Sequence, residues 1–487
     1  MALVEDVIAS VHDENVAYAV FDNHKKGDYA PYVLKTADRG KTWTAIVGDL
    51  PERGSAHTIA EDHVNANLLF VGTEFGLFAT QDGGASWSRM KKGLPTIAVR
   101  DLEIQRREND LVVGTFGRGV YIVDDYTPLR TPLKDVADDE ATLFAVKDPW
   151  LYIEGDLWGG WGGAQAFNGD NFYFAENPPF GAVFTYRLKD GLKTKAEARR
   201  EAERKIAKES GDTPYPSWEA LRAEDREAAP QIVLTVRDAA GAVVRRIDGP
   251  KGAGLHRVTW DLRYDNPAPV TLGDEGGSLF SSRPVGPLAT PGEYVVQLAK
   301  RIAGVETALG EPQRFTVKPL KRSPEATANR PALLAFQQET SDLSRRVFAA
   351  GARLADVGDR IAHLEQALDR TPKAQSAHFK ALAALKTRHD DIGAGLNGDG
   401  TLSSRNEPAP WSVGGRLGYV RGASWRAQSA PAAVHREAVA VAGKEFAALN
   451  PKLDALVKDL AAFETDLAAL GAPWTPGQGS QPVAPGK

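Results

Sequence analysis

No cysteine occurs among the 487 residues, and methionine occurs only twice. The first absence excludes disulfides, thiolate metal centres and a cysteine nucleophile, and leaves the redox compartment open. Charge of one sign is also lacking, since 59 Lys and Arg stand against 64 Asp and Glu for a net charge of -5. Such a balance gives no general electrostatic drive toward nucleic acid or an anionic membrane, so neither is expected as a partner. No run of 18 apolar residues is present, which excludes a predicted transmembrane helix. The opening Met1-Ala2-Leu3-Val4-Glu5-Asp6 has neither the basic start nor the apolar core of a signal peptide.

What the chain does have is length, glycine and repetition. Its size exceeds a single core and predicts two to four domains. Gly 47 and Pro 30 suit a loop-rich β protein, and 42% hydrophobic residues argue for a folded one. Two stretches organise the first part: Thr36-Ala37-Asp38-Arg39-Gly40-Lys41-Thr42-Trp43 and Thr80-Gln81-Asp82-Gly83-Gly84-Ala85-Ser86-Trp87. Both read Ser/Thr-x-Asp-x-Gly-x-Ser/Thr-Trp, and Asp38 and Asp82 lie 44 residues apart. A period of about 40 to 50 residues with four short strands per unit is the signature of a β-propeller. In each box the Asp carboxylate can accept backbone N–H groups two to four residues on, Gly40 and Gly84 permit a positive φ, and Trp43 and Trp87 can pack between blades.

Residues 1–125 align with themselves three times, within a predicted first domain of 1–130. Asn15-Val16-Ala17-Tyr18, Asn67-Leu68-Leu69-Phe70 and Asp110-Leu111-Val112-Val113 occupy equivalent places, and Asp125 follows Asp82 by 43 residues without the Gly and Trp of the box. About three blades are therefore expected, fewer than the four or more that close a propeller. The reading is a chain that continues a larger propeller lying ahead of Met1, with closure by oligomerisation as the alternative. In the second unit the strands are predicted from Thr58 to Asp62, Leu68 to Thr73, Leu77 to Thr80 and Trp87 to Met90. The Asp-box turns then mark one face. The opposite rim gathers the loop Arg53-Gly54-Ser55-Ala56-His57, the turn Glu74-Phe75, the first-unit loop His24-Lys25-Lys26-Gly27-Asp28, and Arg100, Asp101, Phe116 and Arg118. His57, Glu74, Arg100 and Arg118 are the ligand-binding candidates, and Glu74 and Asp101 the candidate catalytic acids. His57 and His63 lack a third ligand, so no metal is expected, and nothing in the chain calls for a cofactor.

After Pro128 and Pro132 the repeat stops. Residues 131–180 form a Gly- and aromatic-rich connector, whose rings include Trp158, Trp161, Phe167, Phe172, Tyr173 and Phe174. Short alternating strands then run over 181–320, interrupted by a charged helical insertion at 191–228. The stretch Gly254-Leu255-His256-Arg257-Val258-Thr259-Trp260-Asp261, followed by Pro291-Gly292-Glu293-Tyr294-Val295-Val296, resembles immunoglobulin-like modules found beside secreted bacterial enzymes and in flagellar hook-cap proteins. Trp260 is its expected core anchor. From Pro324 the period shifts to 3.5. Leu343, Val347, Leu354, Val357, Ile361, Leu364 and Leu368 share one stripe, and Leu449, Leu453, Leu456, Leu460, Phe463, Leu467 and Leu470 another. Helices at 331–370, 373–392, 431–449 and 451–470 are predicted to form an antiparallel bundle over 325–474, with Asn450-Pro451 starting the last one. The stretch from Asn406 to Gly422 is expected as a docking loop and 475–487 as a disordered tail. The fold class is thus multidomain, mainly β plus α: a partial β-propeller, an immunoglobulin-like β-sandwich and a C-terminal helical bundle.

The two boxes resemble the Asp-box (BNR) repeats of sialidases, xyloglucanases and sortilin-type receptors. Together with Gly54-Ser55-Ala56-His57-Thr58-Ile59, Val71-Gly72-Thr73-Glu74-Phe75-Gly76-Leu77-Phe78, Gly114-Thr115-Phe116-Gly117-Arg118-Gly119-Val120-Tyr121, Asn177-Pro178-Pro179-Phe180-Gly181-Ala182 and Gly471-Ala472-Pro473-Trp474-Thr475-Pro476-Gly477, the chain is similar to the C-terminal half of large bacterial sortilin-like Asp-box propeller proteins. These are often labelled glycosyl hydrolases. The resemblance implies an exported, secreted or periplasmic protein. The box itself is a folding device shared by enzymes and binders. The expected function is a non-catalytic binding or scaffold protein, taking a protein, peptide or carbohydrate on the rim. A glycoside hydrolase with two carboxylates across the sugar is the first alternative. The second is an assembly module that forms a homo-oligomer through the helical tail.

Overall fold

The computed structural model describes residues 2–154, 175, 177–270, 285–320 and 328–478. The connector rings from Trp158 to Phe174 lie outside them. The protein is mixed β and α, and divides into two compact units. One comprises Met1–Pro149, Ala175–Asp261 and Glu293–Thr316, and the other Trp150–Phe174, Leu262–Gly292 and Val317–Lys487.

The first unit opens with three antiparallel meanders. Sheet 1 holds β1 (Leu3–Ala9), β2 (Ala17–Asp22), β3 (Tyr32–Thr36) and β4 (Thr44–Ala45). Sheet 2 holds β5 (Ala56–Glu61), β6 (Leu69–Thr73), β7 (Gly76–Thr80) and β8 (Ser88–Met90), and sheet 3 holds β9 (Val99–Gln105), β10 (Asp110–Thr115) and β11 (Val120–Val123). Sheet 2 is covered on both faces, which explains why Leu68-Leu69-Phe70-Val71 is a continuous apolar run rather than an alternating one. Leu69, Val71, Ile59 and Phe78 pack on Tyr18, Val20 and Val33 of sheet 1. Leu68, Phe70 and Leu77 pack with Leu102, Ile104, Leu111 and Val113 of sheet 3. Each such fully buried side chain contributes about 1.5–3 kcal/mol of transfer free energy.

The two boxes close in the same way. Asp38 accepts from the Thr42 backbone N–H at 2.8 Å, the Thr42 hydroxyl at 2.6 Å and the Thr36 hydroxyl at 2.8 Å. Asp82 accepts from the Ser86 N–H at 2.9 Å, the Ser86 hydroxyl at 2.6 Å and the Thr80 hydroxyl at 2.7 Å. Partial burial opposes ionisation of Asp82, but the Ser86 and Thr80 bonds outweigh it and hold its pKa at about 2. Gly84, at φ 99°, lies so close to sheet 1 that a Cβ there would meet the Ile46 Cβ at 2.7 Å. The two tryptophans differ. Trp87 is 6% exposed and donates its Nε1–H to the Ile46 carbonyl at 3.0 Å, whereas Trp43 is 40% exposed. The expectation that both pack between sheets holds for Trp87 alone, because sheet 1 supplies its seat and no described sheet lies on the side of Trp43.

Beyond sheet 3 a 3-10 turn, Thr127–Arg130, is pinned to sheet 2. The fully buried Asp62 accepts two bonds from Arg130, at 2.9 and 2.8 Å, and one from the Tyr126 hydroxyl at 2.7 Å. The rest of the unit is a pair of sheets. One has the order β12 (Ala141–Leu143), β14 (Ala182–Leu188), β17 (Gly254–Trp260). The other runs β20 (Gln313–Pro319), β18 (Gly292–Ile302), β15 (Gln231–Asp238), β16 (Val243–Gly249), with β19 (Val305–Ala308) on β18. They meet through rings: Phe184 lies 5.6 Å from Phe315, and Trp260 lies 5.2 Å from Tyr294. The charged insertion forms α1 (Lys195–Lys208), started by a Thr194–Glu197 capping box, and α2 (Trp218–Asp225). Neither buries a residue, and Arg199 joins them through Glu224 at 2.7 and 2.8 Å.

In the second unit β13 (Trp150–Leu151) pairs in parallel with Lys318 and Pro319. An isolated antiparallel bridge joins Arg263 to Leu288, and the described helices of the unit are α3 (Arg330–Asp369), α4 (Ser376–Asn397), the short α5 (Gly400–Ser403), α6 (Val413–Ser424) and α7 (Ala433–Ala469). Ion pairs fix their directions. Arg353–Asp454 and Arg360–Glu464 make α3 and α7 parallel, while Lys386–Glu365 and Arg388–Asp459 place α4 antiparallel to both. Two sequence expectations fail here. Asn450-Pro451 does not begin a helix; α7 runs through it. Pro451 forfeits the bond to the Ala447 carbonyl, and the loss is tolerated because Phe446 and Leu453 bury on the same core on either side of it. The expected loop up to Gly422 contains α6 instead, capped by the Ser412 hydroxyl on the Gly415 N–H, with Val413, Leu417 and Val420 buried. Its glycines hid an apolar stripe of helical spacing.

Candidate functional site

Each inner strand of the three meanders carries a β-bulge at the same place. In sheet 1 Val4 and Asp6 oppose Phe21 and Val20, leaving Glu5 extra. In sheet 2 Ala56 and Thr58 oppose Thr73 and Gly72, leaving His57 extra. In sheet 3 Val99 and Asp101 oppose Thr115 and Gly114, leaving Arg100 extra. A bulge re-aims one side chain out of the alternation. Here it turns Glu5, His57 and Arg100, equivalent in the repeat, toward one rim.

The hairpin after the second strand supplies the facing group, Asp22 in sheet 1 and Glu74 in sheet 2. Glu74 Oε2 lies 2.9 Å from His57 Nε2 and 3.4 Å from the Arg100 guanidinium. Arg100 also lies 3.1 Å from His57 Nδ1. A guanidinium only donates, so Nδ1 accepts and Nε2–H donates to Glu74. The ring is 3% exposed and both nitrogens are engaged. Asp22 accepts from the His24 backbone N–H at 2.9 Å and contacts the His24 ring. Burial opposes its ionisation, and the bonds from His24 and Ser55 outweigh it, so its pKa falls to about 2.

These groups line a cavity of about 340 Å³ with Tyr29, Arg53 and Phe75. Arg53 stacks on Tyr29 at 4.8 Å and Arg100 on Phe116 at 5.6 Å. Phe75 rests against Gly54, where φ is 140° and a Cβ would come 3.0 Å from the ring. Tyr29, Phe75 and Phe116 are 44%, 47% and 68% exposed, so the three hairpins each offer an aromatic face to solvent. Glu5, Asp22 and His57 bring ligand-type atoms within 4.8 Å of one another. A cation there would compete with Glu74 and Arg100 for the imidazole.

Of the residues singled out in the sequence, His57, Glu74 and Arg100 come together in one hydrogen-bonded group. Arg118 is exposed on the third hairpin, outside the cavity. Asp101 also lies outside it and accepts from the adjoining Leu102 N–H at 2.9 Å. His63 stands apart, 3.6 Å from Asp62. Glu5, Asp22 and Tyr29 went unnoticed in the sequence. The repeat alignment carried their signal, since Glu5 precedes Val7 by two residues as His57 precedes Ile59 and Arg100 precedes Leu102.

No family model matches the chain. A xyloglucanase of Hypocrea jecorina (strain QM6a) is 30% identical over 66 residues, 12% of this chain and 8% of that protein. The chain thus spans under a tenth of the length of the curated relative it matches. Among solved structures, an ancestral GH74 enzyme is 24% identical over 24% of this chain and 14% of its own, with a TM-score of 0.20. YCF48 bound to D1 peptide is 17% identical over 28% and 41%, with a TM-score of 0.17. The GH74 xyloglucanase from Xanthomonas campestris is 12% identical over 67% and 40%, with a TM-score of 0.21. Similarity at this level assigns neither family nor activity. The structure is that of a mixed β and α protein with stacked repeat sheets and a charged, aromatic-rimmed cavity. No helix among the described residues is long and apolar enough to cross a membrane.

Proposed function

We propose that the chain is a non-catalytic binding protein of the Asp-box propeller type, which takes a carbohydrate or peptide in the rim cavity and works outside the cytoplasm as part of a larger assembly. On this reading residues 1–130 are three propeller blades, 181–320 an immunoglobulin-like sandwich that positions them, and 325–474 a bundle for assembly. The observation that supports binding over chemistry is the commitment of the carboxylates. Glu74 is shared between His57 and Arg100, and Asp22 is held ionised, whereas a glycosidase needs one acid kept protonated near neutral pH. The exposed rings suit stacking on pyranose faces or on a peptide.

Isothermal titration with xyloglucan oligosaccharides and with a peptide library, run beside a reducing-end assay, tests this. Binding without release of reducing ends is expected, weakened about tenfold by Phe75→Ala or Arg53→Ala. A second reading, glycoside hydrolysis, draws on Glu5 and Asp22, whose oxygens approach within 4.8 Å of each other, near the spacing of a retaining pair. Turnover lost in Asp22→Asn would replace the first reading with the second.

A further inference from the structure

Two arginines line the rim cavity, and only one of them is committed within the fold. Arg100 lies 3.1 Å from His57 Nδ1 and 3.4 Å from Glu74. Arg53 is exposed in the same cavity, and its guanidinium has no hydrogen bond or ion pair among the described residues, not even with its neighbour Glu52. What holds it is the Tyr29 ring, whose centroid lies 4.8 Å from the guanidinium carbon. Stacking occupies the face of the planar group and leaves its N–H edge open to a bidentate acceptor. The Gly54 N–H donates to the Tyr29 carbonyl at 2.8 Å, so the loop that carries Arg53 is tied to the loop that carries Tyr29. An open donor fork is thus fixed where sheets 1 and 2 meet, beside the half-exposed rings of Tyr29 and Phe75.

The acids of the cavity leave room for a further negative charge at that fork. Asp22 is 3% exposed and bonded to His24 and Ser55, and Glu74 is offset by Arg100. Lys25 and Lys26, exposed on the same turn as His24, add positive charge with no ion-pair partner among the described residues. Glu74 engages both His57 and Arg100 through Oε2, so Oε1 remains to accept a hydrogen bond. We infer that the cavity takes a hexuronate unit of an acidic polysaccharide, with its carboxylate on the Arg53 fork, a ring hydroxyl on Glu74 Oε1 and its C–H face on Phe75. A hexuronate carries its carboxylate and its hydroxyls on opposite sides of one rigid ring, so a single unit presents acceptor, donor and apolar face together. A neutral sugar presents nothing to the charge of Arg53, and a peptide carboxylate brings no flat C–H face with it. The volume of about 340 Å³ falls in the range of small-ligand sites. The inference rests on the reading of this cavity as a binding site and adds the charge class of what it binds.

Isothermal titration of the full chain with trigalacturonate and with its methyl ester is the test, because esterification removes the charge and keeps the rings. The acid is expected to bind about tenfold more tightly than the ester. Arg53→Gln should bring that ratio close to unity, and Arg53→Lys, which keeps the charge without the fork, should restore only part of it. Phe75→Ala should weaken both forms and leave the ratio as it was. Since Arg53 is exposed, circular dichroism of its variants should match the unaltered chain. Equal affinity for acid and ester, binding of xyloglucan oligosaccharides alone, or a preference that survives Arg53→Gln would overturn the proposal and leave the cavity's role in binding intact. An Arg53-dependent preference for a glutamate-rich peptide over trigalacturonate would overturn the choice of a saccharide. Failure of trigalacturonate, xyloglucan oligosaccharides and peptides alike to bind would overturn the proposal together with the reading beneath it.

Discussion

Two tryptophans in identical turns allow the worth of the sheet-to-sheet seat to be separated from that of the turn. Trp87→Ala removes a side chain that is 6% exposed, packed among Tyr18, Val20, Val33 and Phe78. Burial of that kind costs about 3–5 kcal/mol to delete, including the cavity left behind. The bond from Nε1 to the Ile46 carbonyl at 3.0 Å adds about 1 kcal/mol. Trp43→Ala removes the same atoms from a site 40% open to water, with Gly40 3.9 Å from its ring, and should cost about 1 kcal/mol. Hydrogen exchange of the β5–β7 amides, followed as a function of urea, reports on these sheets separately from the helices. Work at high dilution keeps association out of the comparison. With a slope of about 2 kcal/mol/M the expected midpoint shifts are about 2–3 M for Trp87→Ala and about 0.5 M for Trp43→Ala. Equal shifts would refute the reasoning, because the turn alone would then carry the stability.

Other expectations follow from buried charge and from the helices. Asp22 titrates at about 2, below its ordinary value of 3.8. A depressed carboxyl contributes stability above its unfolded pKa and loses it as pH falls through the folded one, so about 2 kcal/mol should disappear between about pH 5 and 2. Asp22→Asn should flatten that part of an acid unfolding curve, and an unchanged slope would count against the assignment. Arg130→Ala strands the fully buried Asp62 carboxylate and should cost about 3–5 kcal/mol in chemical denaturation; a loss under about 1 kcal/mol would contradict the ion pair. Pro451→Ala restores an N–H to the Ala447 carbonyl inside α7 and should raise the stability of the bundle by about 1–3 kcal/mol, with a higher Tm; a lower Tm would mean that Pro451 sets a required bend.

The sheets were legible because their signals are local. Asp38 and Asp82 each bond within four residues, so the box reads directly from sequence, and the apolar run of β15 and the alternation in β18 mark their strands. The helix through Pro451 was not legible, because the cost of a proline is local whereas the burial of Phe446 and Leu453 that offsets it is not. The same applies to α6, where Gly414, Gly415 and Gly418 outweigh Val413 and Leu417 in any propensity count. At the site, His57, Glu74 and Arg100 were found by their place on the rim. The bulges that aim them leave no mark in composition, and no motif surrounds Asp22 to single it out. Arg118 and Asp101 were assigned to the same rim by alignment, but neither joins the cavity.

The bulges set apart what varies from what holds the sheets together. Glu5, His57 and Arg100 differ in charge and size, yet each leaves the ladder around it paired, because the bulged residue owes no cross-strand partner. Each position is in effect an interchangeable socket. A lineage, or a protein engineer, can exchange acid, imidazole and guanidinium there and rewrite what the rim prefers while Asp38, Asp82 and the faces of β6 go on stacking the sheets unaltered.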